Sequence, residues 1–304
     1  FVIQDSPGDF WGIVSIEGSE IHFTRDQSGV VVITGKSSND YPRGLGYAHA
    51  HDRLTQMLLQ RAVARGELSS FSPSPNSLRI DKIFKKMNFQ GRAAKIKKLL
   101  TETQKATLKS YVAGINKFMT TQWLPIETKV ANIAGENWSI EDTLSVIQLF
   151  SFAGLTTMQT DSENFIIMAL NKGNNETISE LHKLFPNQLQ GINDEMISAI
   201  RKLREYPQLL PPEYYNEIPT LQEQTGSNNW AISGKHSKSG KPLQANDPHL
   251  QVDRLPAVFY ESIFKQGDEF LTSISGPGFP GVIMGRTKFF SFGLTYGTMD
   301  QIDF

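Results

Sequence analysis

The sequence predicts an α+β protein. Three observations carry that expectation. Helical periodicity dominates up to about residue 171, a polar stretch with no sustained pattern fills about 172–226, and β-type alternation with glycine turns takes over at residue 227. The expected divisions are therefore 1–171, 172–226 and 227–304.

Short strands come first. Gly12–Glu17 and Ile21–Arg25 precede the β-branched run Val30-Val-Val-Ile-Thr34. From Gly46 the pattern turns helical: Leu54, Met57, Leu58 and Ala62 share a face within Ala48–Arg65, and Gly66 lies past the end. Ser69–Ser77, rich in serine and proline, reads as a loop. Lys95–Met119 is the clearest amphipathic stretch, with Leu108, Tyr111, Val112, Ile115, Phe118 and Met119 on one face and lysines on the other. The lysines of Lys82–Lys109 read as a solvated face, because glutamate and threonine are mixed among them.

Ser139 is placed to cap a helix from Ile140 to about Ala153. Another runs from about Asp161 to Asn171, stopped by Gly173, and two or three short helices follow as far as Pro211-Pro212. Beyond them, Asn229–Ser233, Leu243–Asn246, Ala257–Phe264, Phe270–Ser275 and Phe289–Thr295 read as strands.

Composition narrows the function. The 304 residues carry a formal charge of -1, with 39% hydrophobic and 20% charged residues. That balance gives no electrostatic reason for nucleic acid or an anionic membrane as a partner. No apolar run approaches the roughly 18–20 residues of a membrane span. The absence of cysteine excludes disulfides and thiolate chemistry. The chain opens at Phe1, as expected of a mature chain, a trimmed form or part of a longer sequence.

The most telling segment runs from Gly226-Ser-Asn-Asn-Trp230 through Ala245-Asn-Asp-Pro-His249. It reads as the scissile point and first hairpin of a hydrolase that makes its own nucleophile by cutting Gly226–Ser227. A serine hydroxyl is weak until a base takes its proton. A terminal α-amino group, with a pKa of about 7.7–8.0, is substantially unprotonated near neutrality, whereas a lysine amine at about 10.4 is not. Ser227 could thus supply nucleophile and base together, but only after the preceding peptide bond has gone. Gly226 suits that bond because it tolerates unusual backbone angles.

Gly226–Gly234 with Gly240–Leu250 resembles the penicillin acylase (penicillin amidase) family of N-terminal nucleophile hydrolases. Other blocks share the resemblance in order: Arg25-Asp26 with Gly29, then Gly44 through Met57, Arg65–Leu68, Gly276–Gly281, Gly285-Arg286, and Phe292–Thr295 through Asp300–Asp303. Together they span nearly all of residues 20–304.

The resemblance implies an αββα sandwich, incomplete in this chain, formed from an α subunit, an excised spacer and the start of a β subunit. It implies an α/β heterodimer after self-cleavage, a periplasmic or secreted location, and hydrolysis of a small-molecule acyl amide through acyl-Ser227. His249 falls where a side chain helps hold the nucleophile and its amine. The amide of Tyr296 falls where one oxyanion donor is expected. A second donor, an asparagine, would lie beyond Phe304, so residues 1–304 alone are expected to be inactive. No organic cofactor is implied. A structural calcium is, held by Asp300, the Ile302 carbonyl, Asp303 and Glu163, with Asp161 a rival to Glu163. Phe152–Gln159 and the strand after Leu250 are expected to line an acyl pocket.

His49-Ala-His51-Asp52 could be taken for a metal site. In the family's pattern, however, Asp52 and Arg53 read as a buried charge pair. His22, His182 and His236 read as surface residues. Two other readings remain: an uncleaved, non-catalytic relative serving as a binding or scaffold protein, and a Ser-His-Asp hydrolase. The second fits poorly, because no Gly-x-Ser-x-Gly elbow surrounds a candidate serine.

Overall fold

A computed structural model describes residues 12–120, 124–130, 136–152, 157–184, 186, 189, 191–202, 226–249 and 257–295, with backbone alone for 130 and 157–164. The chain divides into two compact units, Phe1–Leu149 with Thr225–Thr295, and Phe150–Gln224 with Tyr296–Phe304.

The first unit is built on a seven-stranded sheet in the order β1-β2-β3-β6-β7-β8-β9. Its strands are β1 (Ile13–Ile16), β2 (Ser19–Arg25), β3 (Val31–Thr34), β6 (Tyr260–Gln266), β7 (Glu269–Ser275), β8 (Val282–Thr287) and β9 (Ser291–Phe292). Neighbours are antiparallel except β3 and β6, which run parallel with Val31 opposite Ser262. The strands expected before residue 35 and those expected after residue 226 thus belong to one sheet, joined through β3 and β6. Val31, Val32 and Ile33 are all buried, so β3 lies inside a sheet and needs a ladder partner on each edge.

Helix α1 (Asp40–Arg65) covers one face of this sheet. It starts earlier than its periodicity indicates. The carboxylate of Asp40 accepts the backbone N–H groups of Lys36 and Ser37, each at 2.9 Å, which anchors the helix start. Gly66 ends the helix at φ 64°, as expected. Three helices follow: α2 (Pro75–Met87), α3 (Phe89–Leu99) and α4 (Glu102–Met119). The amphipathic stretch is therefore two helices, broken where Thr101 and Gln104 form a reciprocal capping box. Ser74 caps α2, so that helix claims the end of the expected Ser69–Ser77 loop. Helices α1 and α4 pack closely at Gly114, where a Cβ would sit 2.0 Å from the Arg43 carbonyl oxygen. Phe23, Ile33, Leu45, Met57, Tyr111 and Ile115 form the heart of the core.

After the short α5 (Ile126–Val130), α6 (Ile140–Ser151) begins at Ser139 as expected. Ser139 Oγ accepts the Asp142 N–H at 3.1 Å, and the Asp142 carboxylate returns to the Ser139 N–H at 2.9 Å. In the second unit, α7 (Thr157–Lys172), α8 (Asn175–Leu184) and α9 (Asp194–Ile200) enclose a small core of Ile166, Leu170, Leu181, Leu189 and Ile197. No helix among the described residues is long and apolar enough to cross a membrane.

Candidate active site

Ser227 opens β4 (Ser227–Ile232), which forms a separate two-stranded hairpin with β5 (Leu243–Pro248). The antiparallel register sets Ser227 opposite Pro248, Asn229 opposite Asn246 and Ala231 opposite Gln244. Since side chains alternate along a strand, these six share one face. The other face carries Trp230, Ile232 and Leu243, all exposed.

Immediately before Ser227, Gly226 has φ 131°. That is a backbone conformation side-chain-bearing residues rarely adopt, and it matches the expectation from sequence. The Gly226 carbonyl oxygen accepts the backbone N–H of His249 at 2.9 Å. A peptide carbonyl that already holds a donor is polarised towards attack, and the same donor can stabilise the negative charge an attack would create.

Ser227 Oγ donates to Thr295 Oγ1 at 2.9 Å, and Thr295 Oγ1 donates to the Ser227 carbonyl at 2.8 Å. His249 joins through side chain as well as backbone. Its Nε2 lies 3.0 Å from Asn228 Nδ2 and 3.2 Å from Asp247 Oδ2. The two contacts require opposite protonation of one nitrogen, because Asn228 can only donate here and Asp247 Oδ2, when ionised, only accept. The imidazole is therefore held in either state.

Amide side chains join the Ser227 face to the segment after β9. Asn246 Oδ1 accepts the Leu294 N–H at 3.0 Å, and Asn246 Nδ2 donates to the Leu294 carbonyl at 3.0 Å. Asn229 Nδ2 donates to the Gly293 carbonyl at 2.7 Å. Sequence reasoning assigned no role to Thr295, Asn246 or Asn229. The available signal was the alternation of amide residues at 229, 244 and 246, a polar stripe where a half-buried strand would carry apolar residues.

The structure brings Gly226, Ser227 and His249 together. Tyr296, Asp300, Ile302 and Asp303 lie outside the described residues, as do the side chains of Glu163 and Asp161. Phe152 is buried, while the rest of the expected pocket lining, Ala153–Gln159 and the strand after Leu250, lies outside the description or is described by backbone alone.

The histidine cluster on α1 is bonded within the protein. His49 is fully buried, its Nδ1 2.7 Å from the Tyr111 hydroxyl and its Nε2 3.0 Å from Ser275 Oγ. Burial lowers its pKa to about 3, so the ring is neutral. The expected Asp52–Arg53 pair is corrected: Arg25 grips both carboxylate oxygens of Asp52 at 2.8 Å, joined by His51 Nδ1 and the Tyr260 hydroxyl, each at 2.6 Å. Arg53 breaks the helix locally at φ -140°, whereas Arg25 on β2 faces the carboxylate. His22, His182 and His236 are exposed.

A family model described as penicillin amidase matches residues 20–304. An acyl-homoserine lactone acylase, QuiP of Pseudomonas aeruginosa, is 26% identical over 300 residues, covering 96% of this chain and 35% of its own length. Penicillin acylase 2 proenzyme of Pseudomonas sp. strain SE83 is 24% identical over 284 residues, covering 89% of this chain and 35% of its own. The chain thus spans about a third of the curated relatives it matches. Among solved structures, a thermostable penicillin G acylase from Alcaligenes faecalis is similar with a TM-score of 0.42 and 17% identity, over 64% of this chain and 98% of that one.

Proposed function

Because the chain belongs to the penicillin amidase family, we propose that it is the nucleophile-bearing part of an amidohydrolase that matures by cutting itself at Gly226–Ser227. One observation carries this reading. The Gly226 carbonyl, at a backbone angle suited to glycine, is held by the His249 N–H directly before the Ser227 hydroxyl.

The chemistry proceeds in two stages. In the first, Ser227 Oγ attacks the Gly226 carbonyl carbon and the C–N bond breaks. The proton lost by the hydroxyl ends on the released α-nitrogen. Water then hydrolyses the ester, leaving Ser227 as a new N-terminus and the products as an α/β heterodimer. In the second stage, the new α-amine takes the Ser227 proton as the hydroxyl attacks a substrate amide and hands it to the leaving amine as the amide C–N bond breaks. Water then resolves the acyl-Ser227 ester. The Tyr296 amide acts as one oxyanion donor, and His249 holds the nucleophile and its amine.

The substrate class is an N-acylated small molecule, of penicillin type or acyl-homoserine-lactone type. The two relatives carry those names, and the same residues serve either, since the acyl group is chosen elsewhere in the site. The reading also includes a periplasmic or secreted location and a structural calcium held by Glu163, Asp300, Asp303 and the Ile302 carbonyl. That donor set is all oxygen and largely anionic, which suits a hard cation.

Intact-mass measurement of the full-length gene product tests the proposal. It should appear as two chains divided at Gly226–Ser227, and Ser227→Ala should leave one. A Ser227→Ala protein that still divides there overturns the reading, and a wild-type protein that stays whole favours an uncleaved binding or scaffold role. Chromogenic acyl amides of graded chain length would then identify the acyl group.

A further inference from the structure

We propose that Thr295 sets the Ser227 hydroxyl for the cut at Gly226–Ser227, and that Asn246 is the positioning residue that holds Thr295 in place. This deepens the reading above and rests on it.

The Thr295 hydroxyl touches Ser227 twice, accepting from Oγ at 2.9 Å and donating to the carbonyl oxygen at 2.8 Å. The two contacts fix the side chain against its own backbone. With its proton directed at Thr295, Ser227 Oγ is restricted to one rotamer instead of sampling three. The carbonyl that the hydroxyl must reach is fixed independently, by the His249 N–H at 2.9 Å. Nucleophile and electrophile are thus each held by a separate residue.

Thr295 needs such support because no ladder delivers it. Strand β9 ends at Phe292, and the segment beyond reaches the hairpin through side chains. The Asn246 amide binds both the N–H and the carbonyl of Leu294, the pair of bonds a neighbouring strand would make. Its Nδ2 also donates to the Asn228 carbonyl at 2.8 Å, which ties the clamp to the strand that carries Ser227. Gln244 Nε2, 3.3 Å from Asn229 Oδ1, steadies the neighbouring amide that holds Gly293. A Cβ at position 293 would sit 2.2 Å from Asn246 Oδ1, so the close approach depends on glycine there. Thr295 follows directly on the residue the clamp grips.

In the maturation step Oγ–C forms, C–N breaks, and the hydroxyl proton finishes on the leaving nitrogen. Thr295 keeps no proton. Its part is to orient the hydroxyl, and that of Asn246 is to orient Thr295.

The test follows the conversion of full-length protein to two chains over time, by intact mass, alongside thermal melting. Thr295→Val, which replaces the hydroxyl with a methyl group, should slow conversion by about tenfold or more. Thr295→Ser should restore most of the rate, and Asn246→Leu should slow conversion at an unchanged melting temperature. Thr295→Ala serves where valine disturbs the fold. Wild-type conversion in the valine or alanine protein overturns the proposal, as does a serine protein as slow as valine, since packing and not the hydroxyl would then matter. Failure of the underlying reading looks different: wild-type protein would stay whole, or Ser227→Ala would divide.

Discussion

Arg25 on the second strand grips Asp52 on the first helix through one guanidinium nitrogen, 2.8 Å from each carboxylate oxygen, although 27 residues separate them. Burial by itself would raise the carboxyl pKa. The bond from His51, the Arg25 charge and the Tyr260 hydroxyl outweigh it and bring the value from 3.8 to about 2. The pairing links sheet and helix within the first unit.

That depressed pKa has a defined signature. Stability from this carboxylate is present above pH 3.8 and is lost as the pH falls through about 2. Asp52→Asn should lose about 3 kcal/mol at neutral pH, because Arg25 and His51 stay behind without the charge they face. Urea unfolding at graded pH should show the two proteins converging between pH 3.8 and about 2. Parallel curves through that window would contradict the assignment.

His49 has an acid response in a different window. Its pKa falls from 6.5 to about 3 because burial opposes the charged ring, with the Arg53 charge adding and Asp52 opposing. A depressed folded-state value means stability is present above 6.5 and is lost as the pH drops towards 3. His49→Gln should lower stability at neutral pH by about 1–3 kcal/mol, through imperfect bonding to Tyr111 and Ser275. It should also flatten the decline between pH 6.5 and about 3. Urea midpoints across that range decide the matter.

What was legible in the sequence divides along contact range. The Ser139 cap, the Gly66 stop and the strands around Ile21–Arg25 and Phe270–Ser275 follow from residues a few positions apart, and they stand where the pattern puts them. Thr101-x-x-Gln104 was an equally local capping signal inside the Lys95–Met119 periodicity, which continues across it and hides the break. The β3–β6 pairing was not legible, because 231 residues separate Val31 from Ser262 and nothing local reports a parallel neighbour. The site divides in the same way. Gly226 and Ser227 follow from the chemistry of a glycine–serine bond read with its neighbouring residues, whereas His249 was reached only through the family resemblance. The Asn246–Leu294 clamp spans 48 positions and depends on a side-chain amide behaving as backbone.

The start of the sixth helix gives a direct stability test. Asp142 is buried at 1% exposure and receives Arg65 at 2.7 Å and 3.0 Å, while its other oxygen accepts from Ser139. Ser139→Ala removes one cap and should cost about 1 kcal/mol. Asp142→Ala leaves Arg65 facing Glu136 and Glu67 alone, and should cost about 3–5 kcal/mol. Denaturant midpoints that rank the two variants the other way would show that the ion pair contributes less than the cap.

The clamp at the nucleophile is open to a double-mutant cycle. Gly293→Ala places a methyl group 2.2 Å from Asn246 Oδ1, too close for both to stay, and should displace the amide from Leu294. Asn246→Ala removes the amide outright. If both act by releasing the same segment, the double variant should convert to two chains no more slowly than Gly293→Ala alone, because the bond has already been lost. Independent effects would multiply instead, and the double variant would then be slower than either single one. Melting temperatures within a few degrees of wild type are expected throughout, since the hairpin is exposed and the main core lies on the other sheet. Multiplied rates at unchanged melting would separate Gly293 from Asn246 and leave the clamp without its part in presenting Thr295.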